Sequence, residues 1–61
     1  MQGDELRDIR KGLGLTLAGM AAALDLSETY VGQMERGQRP IERRTALAVR
    51  YLAEHPADAK A

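Results

Sequence analysis

The sequence predicts an all-α fold, a compact bundle of four or five short helices, and three observations predict it. Leu17, Met20, Ala21 and Leu24 recur at the i, i+3, i+4, i+7 spacing of one helix face. Ser27, Val31 and Met34 repeat that spacing, with Tyr30 at the margin of the stripe. Only Asp25-Leu26-Ser27 separates the two stretches, too little for anything but a sharp corner. Two helices joined so tightly cross at a steep angle, which is helix-turn-helix geometry.

The remaining elements follow in chain order. Asp4 and Glu5 suit the N-terminal end of a first helix, whose inner face is Leu6, Ile9 and Leu13. Gly12 and Gly14 end it, glycine being able to take the left-handed conformation of a helix C-cap. Thr16 caps the second helix. Ala18, Gly19, Ala21, Ala22 and Ala23 make that helix slim, so that another can approach closely. Asp25 takes a positive φ at the corner, where Asp is among the best tolerated residues after Gly. Ser27 caps the third helix, which runs to Glu35 and stops at Gly37. After Gln38-Arg39-Pro40, a fourth helix is expected over Ile41 to Glu54, Pro being favoured at a helix start. His55-Pro56 ends it. The domain is expected to cover 1–55, and 56–61 to be a flexible tail.

The fourth helix is apolar over more than half its circumference. Ile41, Thr45, Ala48 and Leu52 form one stripe, widened by Ala46, Val49 and Ala53 on one side and by Leu47 and Tyr51 on the other. Such a helix is either wholly buried or shared with a second chain. In 61 residues without Phe, Trp or Cys, the core is lean and no disulfide staples it, which favours the second choice. A homodimer interface is therefore expected at Leu47, Val49, Tyr51, Leu52 and Ala53. No apolar run approaches the roughly 18 residues that span a bilayer. The acidic N-terminus carries no signal-peptide pattern, so a cytoplasmic location is expected.

The formal net charge is zero, but it is unevenly distributed. Residues 1–35 carry three basic side chains against six acidic ones; residues 36–50 carry Arg36, Arg39, Arg43, Arg44 and Arg50 against Glu42 alone. A basic cluster directly after the corner is where phosphates are met. A solvated face is the plainer reading, but arginine without lysine favours phosphate, onto which guanidinium forks.

The combination of Leu6-Arg7…Arg10, Gly14-Leu15, Met20-Ala21, Leu26-Ser27 and above all Met34-Glu35-Arg36-Gly37 resembles the helix-turn-helix domain of the Cro/C1 (Xre) family of bacterial and phage repressors. The resemblance covers roughly residues 5–52. Asp25 stands where the family usually has Gly, and Leu17 where a polar residue usually meets the DNA backbone. It implies a lambda-repressor-like fold and a homodimeric regulator, such as an autorepressor, on an inverted repeat in double-stranded DNA. The recognition helix is then about 28–35, in the major groove. Glu28, Thr29 and Gln33 are the implied base contacts. Gln33 suits adenine N6 and N7, Glu28 cytosine N4, and the Thr29 methyl a thymine methyl. Thr16, Tyr30, Gly32, Arg36, Arg39 and Arg43 are the implied backbone contacts, and Arg10 with Glu35 a structural salt bridge between the first and third helices. Each groove-side residue has a plainer alternative: a solvated face for Glu28, Thr29 and Gln33, the core margin for Tyr30, close packing for Gly32.

Short chains of this pattern also include antitoxins, so a protein partner on the apolar fourth helix is the alternative function. One His, no Cys and no paired carboxylates assemble no catalytic or metal-binding set, and no cofactor, small-molecule ligand or membrane partner is expected.

Overall fold

The computed structural model describes residues 1–60. Their order is α1 (Gly3–Gly12), α2 (Leu17–Leu24), α3 (Glu28–Glu35), α4 (Arg43–Glu54) and α5 (Pro56–Ala59). No helix among the described residues is long and apolar enough to cross a membrane.

Three helices end on the same Schellman device. After α1, Gly14 takes φ 72° while Leu15 N–H donates to the Arg10 carbonyl at 3.1 Å. After α2, Asp25 takes φ 59° and Leu26 N–H donates to the Ala21 carbonyl at 2.9 Å. After α3, Gly37 takes φ 76° and Gln38 N–H donates to the Gln33 carbonyl at 2.8 Å. Each left-handed residue turns the chain and satisfies carbonyls that a helix end leaves open. The opposite ends of α2 and α3 are capped by hydroxyls. Gly19 N–H donates to Thr16 Oγ1 at 3.0 Å and Tyr30 N–H to Ser27 Oγ at 3.1 Å.

Leu6, Met20, Val31, Met34 and Val49 are the largest fully buried side chains, joined in the core by Leu13, Ala21, Leu52 and Ala59. α2 packs on α3, α4 and α5, as its small residues permit, while α1 packs on α3 and α4. Gly3 sits so close to the end of α3 that a Cβ there would lie 2.5 Å from the Met34 and Glu35 carbonyl oxygens. This close approach sets the positive end of α1 against the negative end of α3.

Three expectations are corrected. α4 begins at Arg43 rather than Ile41, because Glu42 is extended (ψ 157°) as its N-cap and Ile41 packs against the core ahead of the helix. Val49 is fully buried and Leu52 nearly so, which removes both from any dimer surface. The apolar excess of α4 fills this chain's own interior, where the alanines of α2 leave room. A charge at Val49 therefore strikes the core, not an interface. Residues 56–59 form α5 instead of a flexible tail. Pro56 occupies its first turn, Ala59 is buried, and the Tyr51 hydroxyl donates to Asp58 Oδ2 at 2.6 Å. Ala61 lies outside the described residues.

The buried polar group of this core is Glu35, whose side chain is 3% exposed. Arg10, 13% exposed, grips it with both arms, Nε to Oε2 at 2.7 Å and Nη2 to Oε1 at 3.1 Å. Its Nη1 donates to the Leu15 carbonyl at 3.0 Å, tying the α1–α2 turn to the same point. Arg7 adds Nε at 3.5 Å from Oε1 and an Nη2 donation to the Glu35 carbonyl at 3.4 Å. The Arg10 guanidinium is held above its ordinary pKa, first by this hydrogen bond, against the opposing effect of burial, with the carboxylate's charge adding to the rise.

Removing one partner from such a pair strands the other in low dielectric. Glu35→Ala should cost about 3–5 kcal/mol in denaturant unfolding, enough to unfold most of a domain this small. The double replacement Arg10→Met with Glu35→Leu should cost less than either single loss; a Glu35→Ala cost below about 1 kcal/mol would contradict the clamp.

The Tyr51 phenol is raised above its ordinary value of 10.0, because it donates to Asp58 and the carboxylate's charge opposes ionisation. A pKa raised by folding contributes stability that is present below that ordinary value and lost as pH rises through the folded one. In a Tyr30→Phe background, phenolate absorbance should report Tyr51 alone, and Asp58→Asn should move its midpoint to lower pH. An unmoved midpoint would contradict the Tyr51–Asp58 hydrogen bond.

Candidate nucleic-acid interface

Helix α3 has one side in the core and one side out. Val31, Met34 and Glu35 face inward; Glu28 and Thr29 are exposed, Gln33 half-exposed and Arg36 exposed. Thr29, Gln33 and Arg36 follow one another at i, i+4, i+7, a single outward stripe. Glu28, in the first turn, also suits the positive end of the helix.

The loop after α3 folds back over this stripe. The Arg39 guanidinium lies 4.5 Å from the centroid of the Tyr30 ring, and its Nε donates to Gln33 Oε1 at 3.1 Å. Tyr30 is half-buried and packs against the core with its ring beneath Arg39. It also lines an open cleft of about 500 Å³ between α3 and the start of α4, together with Leu26, Glu42, Arg44 and Thr45. Arg43 and Arg44 occupy the first turn of α4, both exposed. Glu28, Thr29, Arg36, Arg39, Arg43 and Arg44 are all exposed, with Gln33 and Tyr30 half-buried among them.

Two placements differ from the simplest expectation. Gly32 is buried, and a Cβ there would meet Arg36 Nη1 at 3.1 Å. The Arg36 side chain covers it, so its backbone is screened from any phosphate until that flexible guanidinium swings away. Thr16 spends an acceptor lone pair on its helix cap, which leaves the hydroxyl proton as the group with which it can meet an anion. Leu47, Tyr51 and Ala53, on α4, are exposed, apart from the buried Val49 and Leu52.

The electrostatics are lopsided. Among the described residues, Arg36, Arg39 and Arg43 have no carboxylate within 4.0 Å. Arg44 meets Glu42 at 3.6 Å, an exposed pair of little energetic weight. Arg44, counted in the arginine run but not among the implied backbone contacts, stands beside Arg43 in the first turn of α4. The contact of Arg39 with Gln33 was also missed, since a six-residue separation across a turn has no periodic signature.

Comparison with known proteins agrees with this geometry. A family described as a helix-turn-helix domain matches residues 3–58. Over 39 residues, 64% of the chain, the sequence is 54% identical to the HTH-type transcriptional regulator PrpR of Mycobacterium tuberculosis. The matched stretch spans 8% of that protein's length. No solved structure matches the chain. With its corner at Asp25 and a match over nearly its whole length, the chain belongs to the helix-turn-helix domain family.

Proposed function

We propose that this chain is a sequence-specific double-stranded DNA-binding transcriptional regulator of the Cro/C1 (Xre) type, a homodimeric autorepressor on an inverted-repeat operator. The observation that carries the reading is the run of arginines without acidic partners beside the exposed stripe of α3. Arg36, Arg39 and Arg43 are not neutralised by a carboxylate among the described residues, and Glu35, the acid directly before Arg36, is already neutralised from the other side by Arg10 and Arg7. Their counterpart is a polyanion.

In this reading α3 enters the major groove. Glu28, Thr29 and Gln33 meet base edges, while Arg36, Arg39 and Arg43, with Arg44, Tyr30 and Thr16, meet phosphates. PrpR, a transcriptional regulator by name, supports the same class. One such helix reads only a few base pairs, so a two-fold pair of helices on half-sites about one turn apart supplies the missing information. The surface left for pairing is the outer stripe of α4, where Leu47 is 53% and Tyr51 50% exposed; Ala53 is exposed too, but on the other side of the helix. That same patch favours the second reading, an antitoxin-like module that grips another protein through α4.

A mobility-shift assay on DNA upstream of its own gene tests the class: one palindromic site is expected, and no preferred site there or in random DNA would overturn it. Arg36→Ala and Arg43→Ala should weaken binding to all sequences alike and reduce the log–log salt slope by about 0.9 for each phosphate left without its arginine. An unchanged slope would remove that residue from the phosphate-binding set.

The dimer has its own test. A two-fold interface is self-complementary, so Leu47→Glu sets like charges against each other. Sedimentation should then give monomers that retain their helical circular dichroism and bind the full site far more weakly. A wild-type protein that is monomeric on DNA, occupying an asymmetric site, would move the partner-protein reading ahead.

A further inference from the structure

The contact between Arg39 and Gln33 carries more than an exposed hydrogen bond usually does, because of what holds Arg39 in place. Its guanidinium lies over the Tyr30 ring at 4.5 Å, within the range of an attractive cation–π contact. Tyr30 is in turn packed against the core. On the backbone side, Pro40 follows directly and disfavours helical conformations at Arg39. Gly37, at φ 76°, turns the loop back toward α3 just two residues earlier. The arm that reaches Gln33 is thus fixed at both ends.

A glutamine carboxamide presents an oxygen on one side and an NH₂ group on the other, and left alone it rotates freely between them. Arginine is a donor only, so it selects the oxygen. With Arg39 Nε on one lone pair of Oε1 at 3.1 Å, the other lone pair and the Nε2 hydrogens remain to face outward. That pattern is complementary to adenine, whose N6 donates and whose N7 accepts.

We propose that Arg39 is a positioning residue for base readout: by clamping Oε1 of Gln33 from the Tyr30 platform, it makes α3 select adenine at the base pair Gln33 faces. The inference rests on α3 being the reading helix, as proposed above. The Nη groups of Arg39 stay free for a phosphate, so the residue contributes to affinity and to sequence choice by separate atoms.

Selection from random duplex DNA by the full chain and its variants tests this. Arg36→Ala should lower affinity and leave the selected motif unchanged. Arg39→Ala should lower affinity and also flatten one position of the motif, the same one that Gln33→Ala flattens, with the adenine preference there falling about tenfold. Tyr30→Leu keeps both partners and every charge, and should flatten that position while preserving the salt slope. An Arg39→Ala motif superimposable on the wild type overturns the proposal.

The free protein supplies a readout independent of DNA. The Arg39 Nε–H resonance should be ring-current shifted and slow to exchange; the slow exchange should vanish in Gln33→Leu and the ring-current shift in Tyr30→Leu. A free-solvent position in the wild type overturns the clamp even if DNA is bound. An ordered Arg39 resonance in a protein that selects no motif overturns instead the assignment of α3 as the reading helix, and the adenine proposal with it.

Discussion

The buried pair of Arg10 and Glu35 is the constraint from which the geometry of this molecule follows. α3 has eight residues, too few for a helix to persist alone in water. It is held at its start by the Ser27 cap and the left-handed Asp25, and at its end by a carboxylate that two arginines of α1 grip. A charge taken out of water is costly unless it is paired and hydrogen-bonded, and Glu35 has both compensations. No buried side-chain nitrogen or oxygen among the described residues lacks a partner. The same pair also separates charge. With Glu35 neutralised on the inner side, the arginines that follow it in sequence project a positive field that this carboxylate does not cancel.

The interior around this clamp is built with little material. The fully buried large side chains are two methionines, one leucine and two valines, without an aromatic ring among them. Unbranched methionine fills irregular gaps where a rigid ring does not fit. Alanine and glycine along α2 let α3, α4 and α5 all reach it. Such a core leaves little margin, so a single buried polar anchor such as the Arg10 clamp carries more of the fold than it does in a larger domain. Covering the core also consumes most of the apolar face of α4. What remains outside, Leu47 and Tyr51, is a patch far smaller than the roughly 800 Å² per partner of a standard interface.

Breaks and caps were legible because each rests on one residue with a local reason. Asp25 and Gly37 announce left-handed turns, and Thr16 and Ser27 announce helix starts. The outward stripe of α3 followed from periodicity alone. Long-range facts were less legible. Apolar residues around most of α4 are equally consistent with burial in one chain and contact with another, and only the packed structure assigns Val49 and Leu52 to the first. α5 is four residues long, and an Ala-rich tail after a proline carries no periodicity to betray it. Gly32 lies under Arg36, and Arg39 lies over Tyr30 and beside Gln33, because loops bend back where side chains find partners. No spacing rule encodes that.

In the proposed function, a rigid α3 and the arginine run behind it form a DNA-facing surface on one side of the bundle. Amide-resonance mapping during titration with a duplex carrying the selected site tests it most directly. Perturbations confined to Thr16, the outward side of 28–39 and the first turn of α4, with the amides around Leu6, Met20 and Val49 unmoved, are the predicted result. Perturbations centred on α1 or α5, or shifts spread through the core as the helices rearrange, would contradict it.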